Sequence, residues 1–483
     1  MTVGLRAFQS GSIGSGFGVG SEADIAELSK ALEAGYQIGA GRTGGSALRV
    51  ESLEASLKVL TYNSSHVKFW KKIFKTPAYS TVEEYNQLTD YGGEASPFVQ
   101  EGELPQASDS SYVRRTQLVK FLGTTREITH QATLVHPAHG DLIALENQNG
   151  ILWLLQQVER HLFSGDSSLA FDGESEQWDG LDSLIDAQNV IDLEGQSLQE
   201  ADVEEAANMI IEAYGFPTDM FLGTRTMSDL VKTFYPRERI QLPAPSNGQV
   251  GNTVQTMATQ AGVIEFNPDL FIRETPRPPA AATSASAPAT PASIAASAVT
   301  GSTGDHAKGA PAGTSYVSYV VTACNRFGES APTAVLGAAV AVSQAEKDAG
   351  RVIPLTITNP AVIGGFPPEY YKIYRSAASS TNAVPAALSS YALIAQVPAA
   401  SQAASGTTAY SDVNLVLPFT SSAYLGELTP SVITFRQLMP LMKMDLAVLS
   451  PAYRWMILLY GTPILFAPRK WMRFINVGKL NLR

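Results

Sequence analysis

Apolar positions along this chain recur with two different periods, and the changes of period divide it. The run "DLIALENQNGILWLLQQVERHLF", from Asp141 to Phe163, repeats Leu142, Leu145, Leu152, Leu155 and Leu162 at three- and seven-residue steps. Trp153 and Val158 widen that stripe. The pattern predicts an amphipathic helix about 34 Å long, stopped by Gly165. Two shorter helical patterns follow it. "SLQEADVEEAANMIIEAYG" offers Ser197 as cap with Glu200 three residues on, and "RTMSDLVKTFY" comes after. Ahead of the long helix, "SEADIAELSKALEAGY" sets Ile25, Leu28 and Leu32 on one face behind a Ser21 cap, with Asp24 three residues on. "SLEASLKVL" and "SSHVKFWKKIF" predict two more short helices. The Lys68, Lys71, Lys72 and Lys75 run of the second reads as a solvated face.

A period of two takes over between Thr76 and about Leu134. "SPFVQEGELPQASDSSYVRRTQLVKFLGTTREITHQATL" contains two extended runs around a polar tip. In the second run Val113, Arg115, Gln117, Val119 and Phe121 share one face, and Tyr112, Arg114, Thr116, Leu118, Lys120 and Leu122 share the other. Neither face is uniformly apolar. Such a ribbon has no core of its own and calls for a neighbouring molecule to support it. From Asp166 to Ile272 strands and helices alternate, which predicts an α+β domain still unfinished at Ile272.

"RPPAAATSASAPATPASIAASAVTGSTG", from Arg277 to Gly304, is nearly all Ala, Ser, Thr and Pro and predicts a mobile tether. Beyond it, "SYVSYVVTACNRFGESAPT", "VIPLTITNP", "PEYYKIYRS", "YALIAQV" and "TTAYSDV" have the spacing of a small β-sandwich. The final segment, from Ser431, returns to long apolar strands, with "WMILLYGTPILFA" read as two buried strands around a turn at Gly461 and Pro463. These strands would complete the unfinished domain. The sandwich is therefore read as an insertion, with its host resuming near Ser431.

Composition narrows the function. The net charge of −11 over 483 residues argues against phosphate-backbone binding as a main activity. The single cysteine, Cys324, excludes an intrachain disulfide framework. No secretory pattern is visible at the N-terminus, and the longest apolar stretch falls short of the ~20 residues of a membrane helix. A soluble protein made in the cytoplasm is the expectation. "GSIGSGFGVG" lacks phosphate-loop spacing, and His130, His136 and His139 lack the spacing of a metal site. No Gly-x-Ser-x-Gly elbow occurs, and Glu83–Glu84 and Glu204–Glu205 read as solvated faces. No catalytic, cofactor or metal residues are expected.

The order of parts resembles the major capsid protein of tailed bacteriophages, with its Hong Kong 97-like fold. "YSTVEEYNQLTDYGG", "SPFVQEGELP" and "YVRRTQLVKFLG" look like that family's extended loop, and "ENQNGILWLLQQVERHLFSGD" like its spine helix. "FDGESEQWDGLDSLI", "AANMIIEAYGFPTDMFLGTRTMSDL" and "NPDLF" look like its axial domain, and "RFINVG" like the close of its last strand. The inserted part resembles a fibronectin type III or immunoglobulin-like module. The resemblance implies an N-terminal arm over 1–49 and a peripheral domain over 50–165, with its extended loop at about 77–134 and its spine helix at 141–163. It implies an axial domain begun over 166–275, a linker and sandwich over 276–426, and closing strands over 427–483. It further implies self-assembly into hexamers and pentamers of an icosahedral virion shell around double-stranded DNA held without sequence-specific binding. A portal protein at one vertex and a decoration or cement protein would be partners, and no membrane is involved. Some relatives crosslink subunits through a Lys–Asn isopeptide bond, but Lys120 lies away from the ribbon tip and non-covalent assembly is expected. Because the chain starts at Met1, no cleaved propeptide is expected. Glu101, Glu103, Arg114, Arg115 and Lys120 are candidate inter-subunit contacts. The alternatives are an encapsulin-type compartment shell, on the same scaffold, and a carbohydrate-active enzyme or adhesin bearing a fibronectin-type module.

Overall fold

The computed structural model describes residues 61–92, 98–104, 107–134, 141–169, 177–234, 254–272, 276–296, 299–333, 339–364, 366–448 and 450–480. The expected arm (1–49), the helix expected over 52–60, and His136 and His139 lie outside these residues. The first described helix, α1 (Phe69–Lys72), buries Phe69 and Trp70 and leads directly into strand β1 (Phe74–Pro77). Strands β2 (Val82–Asp90) and β3 (Ser111–Leu118) then pair antiparallel from Val82↔Leu118 to Asp90↔Ser111, as a sheet of two strands. This is the ribbon, with its first strand earlier than expected. "VEEYNQLTD" pairs, whereas "SPFVQEGELP" falls in the connection. Gly92 (φ 140°) and Gly102 (φ 90°) take backbone values that a strand cannot use, so neither continues a strand of the ribbon.

At Val119 the chain changes partners. Its N–H donates to the Thr81 carbonyl (2.8 Å), closing the base of the ribbon, and its side chain is buried. Strand β4 (Lys120–Thr129) then enters a second sheet. The expected continuation of one face from Val119 to Phe121 fails here, because Ile128 is buried while Phe121 stays exposed. After α2 (His130–Leu134) comes the long helix α3 (Leu142–Ser164), within a residue of expectation. Its buried stripe runs Gly150, Leu154, Val158, Leu162, and Trp153 lies outside it. The phase is set by close approach to the sheet, since a Cβ on Gly150 would come within 2.5 Å of Ile457 Cδ1. Gly150→Val should therefore displace the Ile457 and Arg126 side chains that pack there and cost roughly 1–3 kcal/mol, read as a lower Tm. An unchanged Tm would show that the contact yields freely.

The axial part follows: α4 (Leu181–Leu184), β5 (Val190–Asp192), α5 (Glu200–Glu212), β6 (Asp219–Gly223), α6 (Thr224–Phe234), β7 (Thr256–Thr259) and β8 (Gly262–Asp269). The cap of α5 is Gln199, not Ser197. The Gln199 N–H donates to Asp202 Oδ2 (2.8 Å), so Asp202 rather than Glu200 completes the box. Val203, Ile210, Met220, Leu222, Ile264 and Phe266 form the centre of this core.

Next comes the sandwich: β9 (Ser293–Ala296), β10 (Ser315–Val317), β11 (Tyr319–Asn325), β12 (Gly328–Glu329), β13 (Val340–Val342), α7 (Gln344–Asp348), β14 (Ile353–Thr358), β15 (Tyr370–Ser376), β16 (Tyr391–Pro398) and β17 (Thr407–Asp412). Sheets β12-β11-β15-β16 and β17-β14-β9 share a core of Val321, Ala323, Tyr371 and Ile373 against Ile294, Leu355 and Ile357. The expected tether is part of this fold. Its Ser293–Ala296 segment is strand β9, paired with β14. Ahead of it, Pro276 accepts from the Leu393 N–H on β16, and the Thr283 N–H donates to Glu329 on β12. The segment thus crosses the sheet from one edge to the other, and the alternate side chains of that sheet, Val320, Tyr374 and Tyr391, are fully buried. Composition misled because Ala, Ser and Pro bury little area themselves, yet being small they can lie close over an aromatic face.

Four strands close the chain: β18 (Ser421–Gly426), β19 (Ile433–Asp445), β20 (Ala452–Leu465) and β21 (Trp471–Val477). Strands β18 and β21 complete a sheet in the order β5-β21-β18-β6-β8-β7, so the host resumes at Ser421, ahead of the expected Ser431. Strands β19 and β20 join the other sheet, β1-β19-β20-β4. The stretch read as two strands around Gly461 and Pro463 is one continuous strand. Its last β4 partner is Lys120↔Gly461, so Pro463 sits where β20 has one neighbour and a missing N–H is tolerated.

Candidate assembly surface

The ribbon leaves its own subunit with one face partly supported. Glu83, Tyr85 and Gln87 are half-buried at alternate positions along β2. Tyr85 meets Phe466 edge-on at 5.1 Å, and Gln87 Nε2 donates to the Phe466 carbonyl (2.6 Å). Beyond this foothold the large side chains face solvent. Tyr91 is 86% exposed, Phe98 88%, Leu104 92% and Tyr112 68%, with Leu88, Val113 and Leu118 also exposed. Scattered exposed apolar residues are ordinary, but a run of them along one slender ribbon marks a surface meant to be covered.

The sequence candidates lie on or near this ribbon without converging. Glu101 and Glu103 are exposed in the connection between its strands. Arg114 Nη1 lies 3.3 Å from Glu84 Oε2 across the ribbon, an exposed pair that contributes little within the subunit. Arg115 sits opposite Tyr85 in the register. Lys120 begins β4, opposite Gly461, at the foot of the ribbon.

The ribbon's root holds a buried carboxylate that the sequence reading passed over. Glu159 of α3 is fully buried and accepts from three successive amides, those of Lys68 (2.7 Å), Phe69 (2.6 Å) and Trp70 (2.7 Å). Its one sequence signal is a charge on the apolar stripe, between Val158 and Leu162.

The insertion is seated on the host by polar contacts. Asn476, left-handed at φ 56°, accepts from the Leu417 N–H (2.7 Å) and donates to Asp192 Oδ1 (2.8 Å) and the Leu415 carbonyl (2.9 Å). Lys308 Nζ reaches Asp192 Oδ2 (2.5 Å). Inside the sandwich, Arg375 pairs with Asp412 (2.6 Å), and both are almost wholly buried. By the strand register, this end holds Tyr319, Ile353 and Asp412, and the far end holds Asn325, Thr358 and Thr407.

Among the described residues, no group of three or more His, Cys, Asp or Glu is placed to hold a metal, and no helix is long and apolar enough to cross a membrane. Burial pushes the Cys324 thiol up to about 12, which leaves it protonated and a poor nucleophile.

Residues 42–286 match a family model described as SU10 major capsid protein. The major capsid proteins of Staphylococcus phage K and of Staphylococcus phage S25-3 are each 29% identical over 474 residues, covering 93% of this chain and 95% of the relative. Among solved structures, a chain of Gordonia phage Cozz overlaps with a TM-score of 0.44 at 9% identity, covering 91% of this chain and 96% of that one. The SrpI encapsulin of Synechococcus elongatus overlaps with a TM-score of 0.42 at 8% identity, covering 89% of this chain and 95% of that one. At such scores the overlaps carry no argument, and the assignment rests on the sequence matches.

Proposed function

This chain belongs to the SU10 major capsid protein family, and from that premise we propose that it is the repeating subunit of a tailed-phage head. On this reading the subunits, in the Hong Kong 97-like arrangement, form hexamers and pentamers of an icosahedral virion shell that encloses double-stranded DNA. A portal occupies one vertex. The observation that carries the reading is the ribbon, whose large apolar side chains are exposed in the single subunit; on this reading a neighbouring subunit covers them. A buried apolar side chain contributes about 1.5–3 kcal/mol, so a few per subunit, repeated over a closed lattice, hold it together. Glu101, Glu103, Arg114, Arg115 and Lys120 would set the register of that contact rather than its strength. The acidic chain suits a container whose wall must not grip DNA. Association needs no covalent chemistry, and the role is structural rather than enzymatic.

The domain boundaries follow from the strands. We place the inserted module, of immunoglobulin-like or fibronectin-like kind, between Ile272 and Ser421, projecting from the outer face. A decoration role is consistent with its balanced charge, six basic and six acidic residues between Pro278 and Leu425.

Tyr91→Ser combined with Leu104→Ser tests the ribbon. Both residues are exposed in the subunit, so unassembled protein should keep its Tm within about 0.5 kcal/mol of stability. The concentration needed for assembly should rise more than tenfold, from roughly 1.5 kcal/mol or more lost per subunit. Normal assembly by the variant, followed by light scattering, would remove the ribbon from the interface.

A further inference from the structure

We propose that Glu159 and Asp269 form a clamp, held by one shared proton, that fixes the root of the ribbon to the long helix and opens when that proton leaves. The geometry on the Glu159 side asks for an anion. Its Oε1 takes the Lys68 and Phe69 amides and its Oε2 takes that of Trp70, so both oxygens are committed. These residues begin α1, which runs into β1 and on to the ribbon. The Glu159 carboxylate is thus the point at which α3 holds the incoming chain.

Asp269, at the end of β8, is also fully buried. Its Oδ1 accepts from the Phe271 N–H (2.7 Å), whereas its buried Oδ2 has no donor, and the side chain as a whole interacts with that of Glu159. Two carboxylates enclosed together cannot both be ionised. Glu159, with three donors, keeps the charge, and Asp269 keeps the proton and shares it across the gap. The other charges that bear on the pair are cations. Lys68 lies near Asp269, and Lys75 of β1 lies near Glu159, its Nζ donating to the Trp70 carbonyl (2.5 Å). Both lysines are exposed, so they favour an anion on the pair from the solvent side while the two carboxyls stay enclosed.

Burial first, and then the neighbouring Asp269, pushes Glu159 up to about 8, and burial raises Asp269 as well. The titration belongs to the pair, so loss of the shared proton falls near that pH. The sign follows from proton counting. The folded pair holds a proton that the unfolded chain releases above the ordinary carboxylate value of 4.5. The contribution is fully present below that value, declines as pH rises, and is gone above about 8.

Hydrogen exchange of the full-length protein reads the clamp directly, through the amides of Lys68, Phe69 and Trp70. After correction for base-catalysed exchange, their protection should fall as pH rises from about 4.5 to about 8, by up to about tenfold per pH unit, and level off above that. Asp269→Asn, whose amide donates without a titratable proton, should keep the protection at pH 9. Glu159→Gln, with one acceptor oxygen for three amides, should lose it at every pH. Wild-type protection that ignores pH, or Asp269→Asn following the wild-type profile, would overturn the clamp. Any consequence for assembly rests on the ribbon reading above. The exchange measurement does not, so it can fail while that reading stands.

Discussion

Ending the chain after Thr429 leaves a protein that does not fold. The deletion takes β19, β20 and β21, and with them parts of both sheets of the host. Phe435, Trp455, Ile457, Leu459, Ile464, Trp471, Met472 and Phe474 go too, each at most 1% exposed. At about 1.5–3 kcal/mol each, their burial is worth more than the roughly 5–15 kcal/mol that separates a typical domain from its unfolded state. Leu446 and Val448, apolar residues of the same segment, are not part of this group. Val448 is 69% exposed, at the turn between β19 and β20. The expected outcome is insoluble product, or soluble product without a cooperative melt by circular dichroism. A truncation that melts cooperatively would show that β1–β8 and β18 suffice.

Replacing the insertion gives the opposite result, a host that folds and assembles as before. Its two ends meet beside Gly223, where an added Cβ would lie 2.9 Å from the Ile272 carbonyl oxygen and 3.3 Å from Ser421 Oγ. A Gly-Ser linker of a few residues between Ile272 and Ser421 therefore closes the chain without strain, and the closure entropy differs little from that of a longer loop. What is lost is the seat, namely the Lys308–Asp192 pair and the bonds of Asn476 to 415 and 417. We expect the host Tm to fall by a few degrees, for a loss of about 1–2 kcal/mol. Closed heads should still form, lacking an outer protrusion in micrographs. A replacement variant that stays dispersed would make the sandwich part of the lattice.

How much of this was legible beforehand depended on whether a residue's role is local. The long helix announced itself because Leu142 to Leu162 repeat on one face, and helix periodicity is a property of neighbours in sequence. The ribbon was legible for the converse reason, since neither face of Val113 to Leu122 could make a core. Roles set by tertiary contact stayed hidden. Trp153 looks like core and is not, because the sheet comes closest at Gly150. The segment from Pro276 to Ala292 looks like a linker, and only the aromatic face beneath it gives small residues something to pack against. Gly461 and Pro463 look like a turn, and the end of β4 beside them is what lets β20 run straight. Glu159 sat in plain view, but three amides some ninety residues away give it its meaning. The partners of Glu101, Glu103, Arg114, Arg115 and Lys120 are no more legible from the single subunit, since the proposal places them on another copy.

On this reading the ribbon's exposed side chains are covered only when subunits join. Cryo-electron microscopy of the full-length protein, imaged as it assembles, tests this most directly. Closed shells are expected, in which each ribbon, from Val82 to Leu118, lies on an adjacent subunit with Tyr91, Leu104 and Tyr112 buried. Shells whose ribbons stay exposed, or discrete monomers at every concentration, would contradict it.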